Sequence, residues 1–249
     1  MIAILSDIHG NLEALEAVLA DAAAFNVDAV YCLGDLIGYG PDPIPCIEYA
    51  MSWDIVVRGN FDNAAISDDD LSGWTAFHAR KTVLRFRSQL NQHSRRHSIT
   101  DFLSSLPTHL NTTDALYVHG SPRNYLNEYL FPEDIYNPRK MGSLEPLFRS
   151  LCFCGRTHIP GIFHRDALAW GFTSPAKCDH QYPLSDDKVI CNVGSVGQPR
   201  DGDPRASYVL FTPDNITFRR VDYDVDLTSH KIRNDEDDDF PGQRVRDGR

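Results

Sequence analysis

"IAILSDIHGNLEALEAVLADAAAFNVDAVYCLGD", Ile2 to Asp35, carries the reading of the fold. Its first apolar run ends at Asp7 and its last ends at Gly34-Asp35. Between them, Leu12, Leu15, Val18 and Leu19 recur at the spacing of one helical face. Strand, helix, strand in that order predicts parallel strands joined by a right-handed crossover. Moving outward, the turn-rich "GYGPDPIPCIEYAM" leads to a helix around Pro45 to Met51, and "DIVVRGN" is a third strand.

The middle, about Gly73 to Leu106, reads as helical, with "WTAFHARKTVLRFRSQL" its longest periodic segment. A strand "ALYVHGSP", a short helix near Met141 to Arg149 and a strand "LCFCG" follow. The last third, "KVICNVGS", "ASYVLFT" and "ITFRRVDYD", reads as short strands between Gly, Pro and Asp turns, which suggests hairpin-like antiparallel pairing. No linker divides the body, so one α/β domain over residues 1–233 is expected, built on two facing sheets with helices outside. Residues 234–249, "NDEDDDFPGQRVRDGR", are an acidic run with a basic end and no apolar period, and are expected to form a mobile charged tail.

Composition narrows the function classes. A chain of 249 residues with 42% hydrophobic content can bury a sizeable core. No apolar run approaches the roughly 20 residues that span a bilayer, and "MIAILSD" lacks the basic flank of a signal peptide. A cytoplasmic protein with no membrane partner is expected. The net charge of −11 disfavours non-specific nucleic-acid binding, while leaving room for a small phosphorylated substrate held through cations. Six cysteines are too few for a disulfide scaffold. Cys152 and Cys154 would share one strand face but have no second thiolate pair to complete a metal site, so they read as packing residues.

Five strands end in polar groups and glycine: "SDIHGN", "CLGDLIGYG", "RGNFDN", "VHGSP" and "CGRTHIP". Ligand sites in open α/β sheets form beyond the carboxyl ends of strands. Asp7, His9, Asp35, Asn60, His119 and His158 are therefore expected to converge. Carboxylates, imidazoles and an amide oxygen suit Mn, Fe, Zn or Ni, whereas an all-oxygen set would suit Mg or Ca. A carboxylate shared by two ions can hold them roughly 3.5–4 Å apart, with a water acidic enough to attack phosphorus.

These motifs resemble the calcineurin-like metallophosphoesterases, most of all small prokaryotic members related to diadenosine tetraphosphatases and phosphodiesterases. The likeness runs over about residues 1–223 and includes "NVGSVGQPRDGDPRASYVLF". It implies a four-layer α-β-β-α sandwich of two facing mixed sheets, and one or two divalent ions. It further implies that Asp7, His9 and His158 hold the first ion, that Asp35 bridges, and that Asn60 and His119 serve the second. Asp35, Asn60 and His119 are the catalytic candidates, and Arg156, Asn60 and Asn11 the substrate-binding ones, although Asn11 also reads as a helix cap.

Two positions depart from that pattern. Arg156 stands where the family supplies a further His ligand, and a guanidinium has no lone pair to donate, so the second ion is expected to bind weakly or not at all. The guanidinium charge would face the substrate phosphate, or else swing out to a surface carboxylate. Phe61 stands where many members place a His that assists the leaving group, a contribution typically worth about 10²–10⁴-fold. Asp62 could donate a proton there, but also reads as a turn residue. Ser121 has no base and orienting partner to make it a nucleophile. Gln198 and Arg200, in "GQPRDGDPR", border the expected pocket or serve as loop residues. The reading is a phosphoesterase that hydrolyses an ester or anhydride with a metal-activated water. The alternative is a metal- and phosphate-binding module with weak or no turnover.

Overall fold

Alternation along the first strand sets the layers. In β1 (Ile2–Leu5), Ala3 and Leu5 face one apolar cluster and Ile4 faces another. The first cluster lies beneath helices α1 (Leu12–Ala24), α2 (Pro43–Ala50), α3 (Asn60–Ile66), α4 (Phe77–Gln92) and α5 (Arg96–Ser105). The second lies between two sheets. The computed structural model describes residues 1–67, 71, 76–166, 169–236 and 239–249.

Strands β2 (Ala29–Cys32) and β3 (Ile55–Val56) run parallel to β1, as the opening segment predicts. Next come β4 (His109–Asn111), β5 (Leu116–Val118), helix α6 (Pro138–Leu144), β6 (Leu151–Cys154), β7 (Gly161–Asp166), β8 (Ala169–Thr173), β9 (Gln181–Pro183), β10 (Val189–Asn192), β11 (Ala206–Thr212) and β12 (Asn215–Val221). One six-stranded sheet has the order β3-β2-β1-β11-β12-β9, and the other β4-β5-β6-β10-β7-β8. Both mix parallel and antiparallel pairs. Phe153, Val209, Phe211 and Phe218 fill the space between them. Cys152 and Cys154 point to the far side of the second sheet, against Met141 and Leu144 of α6. Burial pushes both thiols up, so they are packing residues, as the sequence indicates. The four-layer sandwich is therefore the fold that forms.

Three expectations need correction. Strand β10 does not join a hairpin with β11: it sits between β6 and β7, parallel to the first and antiparallel to the second. All four of its residues are buried, and a strand covered on both faces has no alternation to reveal its neighbours. Helix α2 begins at Pro43 rather than Pro45, because proline suits the first turn of a helix, where no N–H partner is needed. The tail expected to be mobile folds as the end of α7 (Val225–Glu236) and as α8 (Asp239–Asp247). Val245 is buried there, and Ser229 Oγ donates to the Gly242 carbonyl at 3.0 Å. Residues 237–238 of that tail and 73–75 of the expected central helix lie outside the described residues.

Candidate metal centre

The loops after β1, β2, β5 and β6 and the start of α3 meet at one place. Asp7, His9, Asp35, Arg156 and His158 all adopt left-handed backbone there, with φ of 52°, 50°, 56°, 70° and 62°. That conformation is uncommon for residues other than glycine, and it turns each side chain sharply off its strand end. Two glycines permit the close approach. A Cβ on Gly38 would fall 2.0 Å from His9 Nδ1, and one on Gly59 would fall 2.1 Å from Asp35 Oδ1.

All six candidate ligands are brought together and are nearly or fully inaccessible to solvent. His158 Nε2 lies 3.1 Å from Asp7 Oδ1, and His9 Nε2 lies 3.6 Å from it. Asp35 Oδ2 is 3.3 Å from His119 Nε2 and 3.8 Å from His9 Nε2. Asn60 Oδ1 is 3.0 Å from His119 Nε2. Among the described residues, Asp7–His9–His158 and Asp7–Asp35–His119 form groups compact enough to hold an ion.

Hydrogen bonding decides what these atoms offer. The Nδ1 atoms of His9, His119 and His158 donate to the carbonyls of Ile37, Leu33 and Gln198 at 3.0, 3.0 and 2.6 Å. Each Nε2 is then left with its lone pair pointing inward. His9 Nε2 meets His158 Nε2 at 3.2 Å, so two lone pairs confront each other. Asp7 spends Oδ2 on Ser6 Oγ (2.7 Å) and the Arg156 N–H (2.9 Å), and Asp35 spends Oδ1 on the Phe61 N–H (2.8 Å). Asp7 Oδ1 and Asp35 Oδ2 are buried with no hydrogen-bond partner. Electron-pair donors aimed at one another without hydrogens between them suit a bound cation. Burial, then the nearby Arg200 charge, pushes His158 down to about 3, so it is a neutral ligand near pH 7. Burial raises Asp7, yet the imidazoles of His158, His119 and His9 around it hold it well below the usual carboxylate range.

Asp62 proves to be neither turn residue nor exposed acid. Its buried carboxylate accepts four backbone N–H groups: Gly59 (3.0 Å), Asp35 (2.8 Å), Leu36 (2.9 Å) and Ile37 (3.3 Å). Those bonds tie the loop after β2 to the start of α3 and so place Asp35 and Asn60 together. Burial and the Asp35 charge push Asp62 up to about 6, against the pull of those donors. Removing a buried acceptor strands its donors at about 1–3 kcal/mol each before water compensates. Asp62→Ala is expected to destabilise the fold by about 3 kcal/mol, and a fall in urea midpoint without a change in slope will measure it.

Arg156 lays its guanidinium on the Tyr129 ring, 3.9 Å from the centroid, with Nε buried and unpartnered. No carboxylate among the described residues pairs with its side chain. Phe61 packs its ring against His9 and Tyr39 at 5.0 and 5.1 Å and has no proton to give. Asn11 is buried, and its polar atoms are engaged within the fold. Its Oδ1 caps α1 through the Ala14 N–H (3.1 Å) and accepts from Thr228 (3.2 Å), while Nδ2 donates to the Gly197 carbonyl (2.9 Å). The Ser121 hydroxyl is absorbed in its own turn, donating to Glu128 and accepting from Asn124.

Three positioning residues escaped the sequence reading. Asn192 donates to the Gly155 carbonyl (2.7 Å) and Thr157 Oγ1 (2.8 Å), which shapes the loop carrying Arg156 and His158. Ser195 Oγ donates to the Asp7 carbonyl at 2.8 Å. Tyr129 carries no signal beyond being an aromatic in a loop. A cavity of about 660 Å³ at the opposite ends of the strands, lined by Met1, Asp114, Arg149 and Asp187 among others, contains none of these ligands.

Residues 1–215 match the family model of the calcineurin-like phosphoesterase superfamily domain. The chain belongs to that superfamily. A curated relative, an uncharacterized protein of Methanocaldococcus jannaschii, is 31% identical over 260 residues, covering 100% of this chain and 98% of the relative. The crystal structure of a metallophosphoesterase from Sphaerobacter thermophilus is 35% identical with a TM-score of 0.81, covering 100% of this chain and 98% of that one. A hypothetical protein from Pyrococcus horikoshii shares the fold at 19% identity, with a TM-score of 0.73 and 98% of each chain covered. Membership of a metallophosphoesterase family agrees with a cluster of buried metal-ligand groups. No helix among the described residues is long and apolar enough to cross a membrane.

Proposed function

We propose that this metallophosphoesterase hydrolyses a phosphate ester or anhydride of a small substrate at the centre above. Asp7, His9 and His158 would hold one divalent ion and Asn60 and His119 a second, with Asp35 shared. Mn, Fe, Zn or Ni suit this mixed oxygen and nitrogen set. Such ions supply positive charge to a phosphoryl group and make a water acidic enough to attack it. The chain's own residues aim three imidazole lone pairs, keep two carboxylate oxygens free and exclude bulk water. Arg156, with an unpartnered Nε, binds and orients the phosphate through planar donors.

The observation that carries the proposal is the face-to-face set of acceptors at 3.0–3.2 Å, His9 to His158 and His119 to Asn60, beside two orphaned carboxylate oxygens. The test is release of nitrophenol from bis-p-nitrophenyl phosphate. Turnover is expected with added Mn²⁺ and none in EDTA. At 100 times its dissociation constant, an ion specific to the native state adds about 2.7 kcal/mol. Melting is therefore expected to rise by about 5–10 °C with Mn²⁺. The second reading, a binding module, draws on Arg156 and Phe61 standing at positions of lost function. A melting shift without turnover would favour it.

A further inference from the structure

Arg200 and Arg244 come together at Tyr39, although one belongs to a loop and the other to the tail that the sequence left outside the domain. Their Cζ atoms lie 5.7 and 6.0 Å from the Tyr39 ring centroid, and that ring lies 4.9 Å from the ring of His9. Arg200 is tied to the centre through its backbone, whose N–H donates to the His158 carbonyl at 3.2 Å. Its Nη2 donates to Gln198 Oε1 at 2.8 Å, while its Nε is buried without a partner. Arg244 Nε donates to the terminal oxygen of Arg249 at 2.9 Å, its one hydrogen-bond partner among the described residues.

We propose that Arg200 and Arg244 form a second anion subsite, so that the substrate carries a further phosphoryl group one aromatic ring away from the one that reacts. This rests on the phosphoesterase reading of the centre and narrows its substrate to compounds with at least two phosphoryl groups, such as condensed phosphates or nucleoside polyphosphates. Guanidinium groups suit such oxygens because their donors lie in one plane and keep their charge.

Charge pairing across the molecule supports this. Acidic residues outnumber Lys and Arg by 35 to 24, so an arginine readily finds a carboxylate. Arg95, Arg123, Arg219 and Arg246 do so, with Glu48, Glu128, Asp21 and Asp226. No side-chain carboxylate among the described residues pairs with Arg156, Arg200 or Arg244, and all three lie around the one centre. Arg246 and Arg244 share α8, yet among the described residues only Arg246 meets a side-chain carboxylate, while Arg244 Nε meets the terminal oxygen of Arg249. Burial, and after it the neighbouring Arg200 charge, pushes Arg244 down. Such a pair is costly until an anion arrives.

Calorimetric titration of metal-free protein with inorganic tripolyphosphate and with orthophosphate tests the subsite. Tripolyphosphate is expected to bind the unmodified protein at least tenfold tighter than orthophosphate. Arg244→Gln is expected to weaken tripolyphosphate by about tenfold, as befits one charged hydrogen-bond donor, and orthophosphate by less than twofold. Arg244→Lys keeps the charge and retains most of the affinity. Should Arg244→Gln fail to fold, Arg200→Gln supplies the same comparison. Tripolyphosphate affinity unchanged in both Gln variants overturns the subsite. Turnover of bis-p-nitrophenyl phosphate, which has a single phosphorus, reports on the parent reading separately. Its absence in the unmodified protein removes the phosphoesterase and leaves the anion subsite standing.

Discussion

Asp35→Ala is expected to lower Mn²⁺-dependent hydrolysis of bis-p-nitrophenyl phosphate by about 10³-fold or more, the upper range for losing one preorganised electrostatic group. Asp35 Oδ2 faces both His119 and His9, at 3.3 and 3.8 Å, so its loss empties the position between the two halves of the centre. The melting rise caused by Mn²⁺ should shrink with it. The metal-free fold should suffer little, because Asp35 and Asp7 are like charges at close range. Asp35→Asn separates charge from hydrogen bonding, since its amide oxygen can still accept from the Phe61 N–H. It should retain the metal-free stability and lose the turnover. A rate in Asp35→Ala equal to that of the unmodified protein would mean that the observed hydrolysis belongs to another site, and would favour the binding module.

Arg156 gives the second large effect, and its two substitutions pull in opposite directions. Arg156→Ala removes a charged donor set and is expected to cost about 10–100-fold in kcat/KM, the equivalent of one charge-assisted hydrogen bond. The Tyr129 ring that supports the guanidinium at 3.9 Å would be left uncovered. Arg156→His instead offers a lone pair where the family places a ligand. Metal analysis should then find two tightly held ions per chain where the unmodified protein holds one, and turnover should rise. Two tight ions in the unmodified protein would overturn the idea that Arg156 stands in for a weakened site. Unchanged activity in Arg156→His would undermine the claim that a second ion is limiting.

The six converging side chains were legible because each follows an apolar run and precedes or follows a glycine or turn. Strand ends on one side of a parallel unit must lie together whatever their separation in sequence. Residues that act through the backbone were not. Asp62 looks like any acid in a turn, and only coordinates reveal four N–H groups aimed at it. Asn192 and Ser195 sit in "NVGS", whose resemblance to the family was visible but whose bonds to the loops after β6 and β1 were not. Strand β10 was found but mispaired, since continuous burial removes the period that would assign its face. The α8 segment was misjudged because its charge run masks Pro241 and Val245, buried and four residues apart.

The left-handed backbone at Asp7, His9, Asp35, Arg156 and His158 ties stability to chemistry. Glycine would adopt those angles with about 1 kcal/mol less strain at each position, yet it has no side chain to bring to the centre. Glycine would also strand the buried carbonyls of Ile37 and Gln198 and loosen the unfolded chain, so these strained angles persist because each side chain holds the loops together as well as facing the centre.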